Sequence, residues 1–231
     1  MTNITRLALR LAGAGSLAVA LLVPAGPALA APDNLDKHRT QVAERIDERL
    51  ESLSASTRQV TDAKHLTRHH RAALTTLLGH ERAAMTRLRA RVMAERTNRG
   101  LRAVAAALVE RRAAFSALRP RVRAVIAADT DTSTAVSLME VRGRFVGRVA
   151  RVTAAGVNTR PAEVQLRTLR TSLASAQRLL AGQADAALTA PPAALDRITR
   201  VLTTAHEHIR QALRAARGVR GFLEANERRR G

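Results

Sequence analysis

The chain has no cysteine, no tryptophan and no tyrosine in its 231 residues. Without cysteine there are no disulfide staples, thiol nucleophiles, Fe–S clusters or thiolate-ligated zinc. Phe115, Phe145 and Phe222 are the only Phe, Tyr or Trp side chains, which leaves few stacking platforms for single-stranded nucleic acid. The core must therefore be built from Leu, Val, Ile, Ala and Met. Lys37 and Lys64 are the only lysines, so arginine supplies nearly all of the 39 basic residues. No Gly-rich phosphate loop, nucleophile elbow, HExxH pair or Asp-rich metal loop is present. The sequence reads as non-enzymatic, and it implies no cofactor.

Long apolar runs are also scarce. The one that exists, Leu11 to Val23, follows Arg6 and Arg10 and is followed by Ala28-Leu29-Ala30. A basic start, an apolar stretch and small residues at the cleavage positions, in that order, predict a secretory signal. Residues 1–30 are expected to be removed, with Ala28 and Ala30 read by the peptidase and Ala31 left as the new terminus. The run is shorter than the about 20 apolar residues that span a bilayer. No cysteine follows Ala30 to carry a lipid, and no Arg-Arg pair precedes the run. The expected location is outside the cytoplasm, secreted or associated with the cell envelope. No transmembrane segment is expected in the mature chain.

Residues 31–231 read almost entirely as helix, with any internal division falling between 128 and 129. Leu195, Ile198, Leu202, Ala205, Ile209, Ala212, Ala216, Val219 and Leu223 alternate three- and four-residue steps, the spacing of a coiled-coil seam. Leu166, Leu169, Leu173, Ala176 and Leu180 repeat it, and Ala190-Pro191-Pro192 separates the two segments. Leu35, Val42, Ile46, Leu50 and Leu53 mark a first helix. Leu74, Leu78, Met85, Leu88 and Val92 mark a second, with Thr67 as its N-cap, Leu66 as a hydrophobic staple and Asn98-Arg99-Gly100 as its break. Leu101 to Val125 forms a third, kinked or broken at Pro120. Asp129 to Ser133 reads as a polar turn whose aspartates cap helices. Leu138 to Val152 forms a fourth, stopped by Gly156 and Asn158 before Pro161 opens the next. The expected fold is all-α: six helices in an elongated antiparallel bundle with coiled-coil-like seams, behind a cleavable signal.

Histidine is the remaining ligand type. His65 and His69 are four apart and would share one face if both were helical, a candidate metal pair with no carboxylate at a matching spacing. His206 and His208 flank their seam on opposite sides and read as boundary residues. Gly143 and Gly147 form a GxxxG expected to pack closely on an Ala-rich neighbour.

Charge is uneven. Five bases against six acids occupy 33–58, whereas 82–123 carries twelve arginines against Glu95 and Glu110. The near-neutral first helix is expected to pack against basic ones. Arg82, Arg87, Arg89, Arg91, Arg111, Arg112, Arg121 and Arg123 are the candidate polyanion-binding residues. Export makes anionic envelope polymers or lipid headgroups the expected partners, held by charge. A protein–protein scaffold using an exposed seam is the alternative. Sequence-independent binding of extracellular nucleic acid is a further one, disfavoured by the missing DNA-binding motifs.

The stretch from Leu66 to Leu78, Leu-Thr-Arg-His-His-Arg-Ala-Ala-Leu-Thr-Thr-Leu-Leu, with Ile126-Ala127-Ala128-Asp129 later, resembles a group of uncharacterised exported helical proteins from high-GC actinobacteria. The resemblance implies origin, export and a helical fold. It implies no activity and no site.

Processing at the Ala-Leu-Ala sequence predicts that N-terminal sequencing of exported protein reads Ala31 first. Ala30→Arg should leave a membrane-retained precursor. An exported form still beginning near Met1 would refute cleavage.

Overall fold

A computed structural model of the chain describes residues 32–228, and all regular secondary structure among them is helical. The signal segment and its cleavage residues Ala28, Ala30 and Ala31 lie outside the described residues. In chain order the helices are α1 (Pro32–Asp62), α2 (Arg68–Ala94), α3 (Asn98–Glu110), α4 (Arg112–Ala154), α5 (Arg160–Leu180), α6 (Gln183–Thr189) and α7 (Pro192–Arg228).

Their ends follow local chemistry. The Thr67 hydroxyl accepts the His70 N–H at 3.2 Å and opens α2, as expected, while Thr97 accepts from the Gly100 N–H at 3.0 Å and opens α3. Gly156, between α4 and α5, and Gly182, between α5 and α6, both have left-handed backbone (φ 78° and 69°). A side chain there would be strained. Pro161 lies in the first turn of α5, where its missing N–H has no helical partner to lose. Ala190 and Pro191 separate α6 from α7, which Pro192 opens.

The C-terminal ends use arginine from elsewhere. Arg71 donates to the carbonyls of Val60, Thr61 and Ala63 at the end of α1. Arg39 donates to Glu95 O at 2.8 Å beyond α2, and Arg49 to Leu108 O at 3.0 Å near the end of α3. Arg121 donates to Ala187 O at 3.1 Å and Ala190 O at 2.6 Å at the end of α6. A helix leaves its last carbonyls without intrahelical donors and carries partial negative charge there, so a guanidinium satisfies both needs.

Several expectations are corrected. The predicted third helix divides at Arg111, not at Pro120, and α4 runs unbroken through Pro120. Pro120 is exposed, while Ala117, Leu118, Val122 and Val125 around it are buried. Burial of that stripe outweighs one lost backbone hydrogen bond. Asp129 to Ser133 is the interior of α4, not a turn. Asp131 keeps the four-three spacing of Ala124, Ala128, Ala135 and Leu138, so the buried stripe carries the helix through. Helix α2 ends at Ala94, and Asn98-Arg99-Gly100 is the first turn of α3 rather than a break. The short α6 makes a seventh helix. Gly143 and Gly147 are exposed, with nothing within 4 Å of a Cβ built at either. They do not mediate close packing.

The apolar residues form two cores. The first gathers Ile46 and Leu53 of α1, Leu74 and Met85 of α2, Val104 of α3, Val122 and Val125 of α4, Ala187 of α6 and Leu202 of α7. The second gathers Leu138 and Phe145 of α4, Leu169 and Leu173 of α5, and Ile209 and Val219 of α7. Helices α4 and α7 therefore run through both, and position 128/129 falls inside α4. The near-neutral α1 packs on the basic α2. Asp47 there accepts two bonds from Arg89, at 2.6 and 3.0 Å.

Shared helices predict shared stability. Leu74→Ala in the first core and Leu169→Ala in the second, each at a fully buried position, should cost about 2–5 kcal/mol. Both should lower the midpoint of one cooperative urea transition. A two-phase transition in which Leu169→Ala moved only one phase would show halves that unfold independently.

Candidate functional site

The polar residues inside α4 lie where the two cores meet. Asp129, Asp131 and Ser133 each meet a histidine from another segment. His70 Nδ1 of α2 lies 2.9 and 2.8 Å from the two Asp129 oxygens. His206 Nδ1 of α7 lies 3.0 Å from Asp131 Oδ1. His65 Nδ1, in the connection between α1 and α2, lies 3.1 Å from Ser133 Oγ. Helical geometry explains the sorting. Residues four apart share a face, so Asp129 and Ser133 both reach the α1–α2 region. Residues two apart diverge by about 200°, so Asp131 turns instead to α7.

Asp129 is 7% exposed and His70 8%. The carboxylate also accepts the Thr67 N–H at 2.7 Å, so it caps the start of α2 while holding the ring of its third residue. The other face of that ring is occupied too. His70 Nε2 lies 3.1 Å from Asp185 Oδ1 in the first turn of α6. Both ring nitrogens thus face carboxylate oxygen. Burial disfavours charge on His70, but hydrogen bonds and attraction from Asp129 and Asp185 outweigh it and raise the pKa. Asp131 is 6% exposed. Burial raises its pKa, and the His206 contact opposes the rise.

One cluster has metal-ligand composition. His69, beside His70 on α2, places Nε2 3.9 Å from Asp185 Oδ1. One donor atom from each of His69, His70 and Asp185 lies within 4.8 Å of the others. The expected pair His65 and His69 is corrected. His65 precedes α2 and turns to Ser133, so the two do not share a helical face. The residue that joins His69 is its neighbour His70, and the carboxylate comes from 115 residues away. The expected capping role of Asp129 and Asp131 at a turn is replaced by buried pairing inside a helix. His206 does lie beside the seam, with an exposed side chain turned to Asp131, and His208 is half-buried.

The eight candidate arginines divide. Arg89 is paired with Asp47, Arg111 lies 3.5 Å from Glu81, and Arg82 donates to Ser54. Arg121 caps α6. Arg87, Arg91, Arg112 and Arg123 are exposed and make no side-chain hydrogen bond or ion pair with the described residues. No protein family, curated protein or solved structure matches this chain.

A histidine whose pKa rises on folding from the ordinary 6.5 binds its proton more tightly in the folded chain. Its stabilising contribution is full below that ordinary value and is lost as pH climbs through the folded one. In chelator-treated protein the urea midpoint should therefore fall as pH rises above the ordinary histidine range. His70→Gln should flatten that dependence. An unchanged slope in His70→Gln would assign the dependence to another group.

Proposed function

We propose that this is an exported, non-enzymatic protein that binds anionic polymers of the cell envelope by charge. In this reading, signal cleavage releases an elongated antiparallel helical bundle with coiled-coil-like seams. The supporting observation is the exposed arginine left over once the fold has used its share. On α4, Arg112, Arg119 and Arg123 recur at seven- and four-residue steps and so share one face. All three are exposed, as are Arg87 and Arg91 one turn apart on α2. None of the five forms an ion pair with a described carboxylate. Such a surface attracts polyanions through charge and counterion release, with little stereochemical preference.

A second reading has its own observation. Val136, Met139 and Val146 on the outer face of α4 are 46%, 38% and 45% exposed, on the same side as Gly143 and Gly147. An apolar face of this kind favours a protein partner and the scaffold role.

Immobilised polyphosphate, eluted with salt, distinguishes them. The parent should bind and elute as salt screens the charge. Changing Arg87, Arg91, Arg112 and Arg123 together to glutamine should lower the eluting salt and leave helicity intact, since Gln is a good helix former. If all four contribute, the log–log salt slope should shrink by roughly three. Phosphatidylglycerol vesicles and duplex DNA, run as competitors, compare lipid and nucleic-acid targets. Retention indifferent to salt, or unchanged in the fourfold variant, would overturn the electrostatic reading. Lost capture of an envelope protein on Val146→Arg would support the scaffold.

A further inference from the structure

We propose that His69, His70 and Asp185 form a surface site for a divalent transition-metal ion of the zinc class, with Asp129 as the positioning residue behind His70. The donor set is two imidazoles and one carboxylate. That set suits zinc and its late first-row neighbours rather than magnesium or calcium, which prefer oxygen alone.

The geometry is close to what such an ion needs. Zinc–nitrogen and zinc–oxygen bonds of about 2.0–2.1 Å in a tetrahedral site put neighbouring donors roughly 3.3 Å apart. The contact between His70 Nε2 and Asp185 Oδ1 is 3.1 Å, and that between His69 Nε2 and the same oxygen is 3.9 Å. His69 and Asp185 have side chains 77% and 67% exposed, so both can adjust by rotation. Their exposure also leaves a fourth position open to water. His70 is the fixed member, buried and gripped through Nδ1.

Asp129 supplies the second, independent observation. A metal-binding histidine commonly donates its other ring N–H to a carboxylate, which fixes the tautomer and turns the free lone pair toward the ion. Here Asp129 takes Nδ1, and Nε2 points at the carboxylate of Asp185. Without a metal, that contact is a hydrogen bond when Nε2 carries the proton. A cation between the two would take that proton's place and bond to both atoms. The positive ends of α2 and α6 oppose a cation at this place. The charges of Asp129 and Asp185 offset them. Among the described residues no other group brings three such donors together. The His206–Asp131 and His65–Ser133 pairs stop at two polar groups each. A bound ion would tie the first turn of α2 to the first turn of α6.

The test uses protein purified without a polyhistidine tag, stripped with chelator and titrated with Zn²⁺ by calorimetry. The parent should take up one equivalent at this site. His69→Gln and Asp185→Asn should each weaken it about tenfold or more. His80→Gln, on an exposed residue of α2 outside the cluster, should bind as the parent does. Co²⁺ should give visible absorption bands of low-coordinate geometry in the parent and lose them in the two ligand variants. Asp129→Asn should weaken uptake while retaining the helical circular-dichroism signal. If it fails to fold, the two exposed ligand variants carry the test. No uptake by the parent, or equal uptake by the parent, His69→Gln and Asp185→Asn, would overturn the site.

Discussion

A carboxylate buried where two apolar cores meet must find donors or destabilise the helix that carries it. Asp129 is in that position. An ionised carboxylate moved out of water without partners carries a large penalty, which is why buried charges are paired or bound. Asp129 finds the His70 ring and the Thr67 backbone N–H, both at the start of α2. One side chain thereby lets α4 pass through the boundary between the cores, and closes an orphan donor beside the following helix. It also fixes the ring plane of His70 toward α6. The contacts with Thr67, His70 and Asp185 all depend on α4 staying helical there. Asp131 meets the same demand on the opposite side through His206. The junction is polar, yet its polar groups face one another.

Arginine has two separable roles in this chain. Arg39, Arg49, Arg71 and Arg121 donate to carbonyls at or near helix ends that α1, α2, α3 and α6 leave open. Three of these helices, α1, α3 and α6, have no basic residue in their own last turn. The donor arrives from a neighbouring helix or from the following one. Arg71 reaches three carbonyls through its two terminal nitrogens, and Arg121 two through Nε and one terminal nitrogen, each from one planar group. A lysine ammonium is a point donor on a flexible stem and lacks that fixed fork. At these positions the choice of arginine over lysine has a structural cause.

Much of the helical pattern was legible because burial obeys periodicity. The Leu195 to Leu223 seam is buried as one stripe of α7, and the Thr67 cap, the Gly156 stop and the Pro161 start are where local chemistry puts them. The errors share a cause. Proline at 120 and the aspartates at 129 and 131 are locally poor helix residues, and local preference argued for a break or a turn. Tertiary burial of Leu118, Val122, Ala128 and Ala135 decided otherwise. The continuous spacing of Ala124, Ala128, Asp131, Ala135 and Leu138 was the available signal. The histidine cluster was less legible. His69 and His70 are adjacent in sequence, which on a helix suggests different faces, and nothing local announces that Asp185 will join them.

The division of arginines bears on how composition should be weighed. Codon bias toward arginine would scatter guanidinium groups without regard to helix ends. The structure instead directs Arg39, Arg49, Arg71 and Arg121 inward to carbonyls, and pairs Arg89 with Asp47 across α1 and α2. Asp47 offsets the charge of Arg89, while the carbonyl-bound guanidiniums keep theirs but are held in place at helix ends. Arg112, Arg119 and Arg123 on α4 are the contrasting case. They have exposed side chains, a common face and no ion pair with a described carboxylate, so solvent and salt, or an outside anion, relieve their mutual repulsion. A chain under pressure for stability alone would lose nothing by exchanging some of that stripe for glutamate, which would add helical ion pairs of a few tenths of a kcal/mol each. The uncompensated stripe therefore works against the fold's own electrostatics, and in the free chain solvent and salt are what screen it.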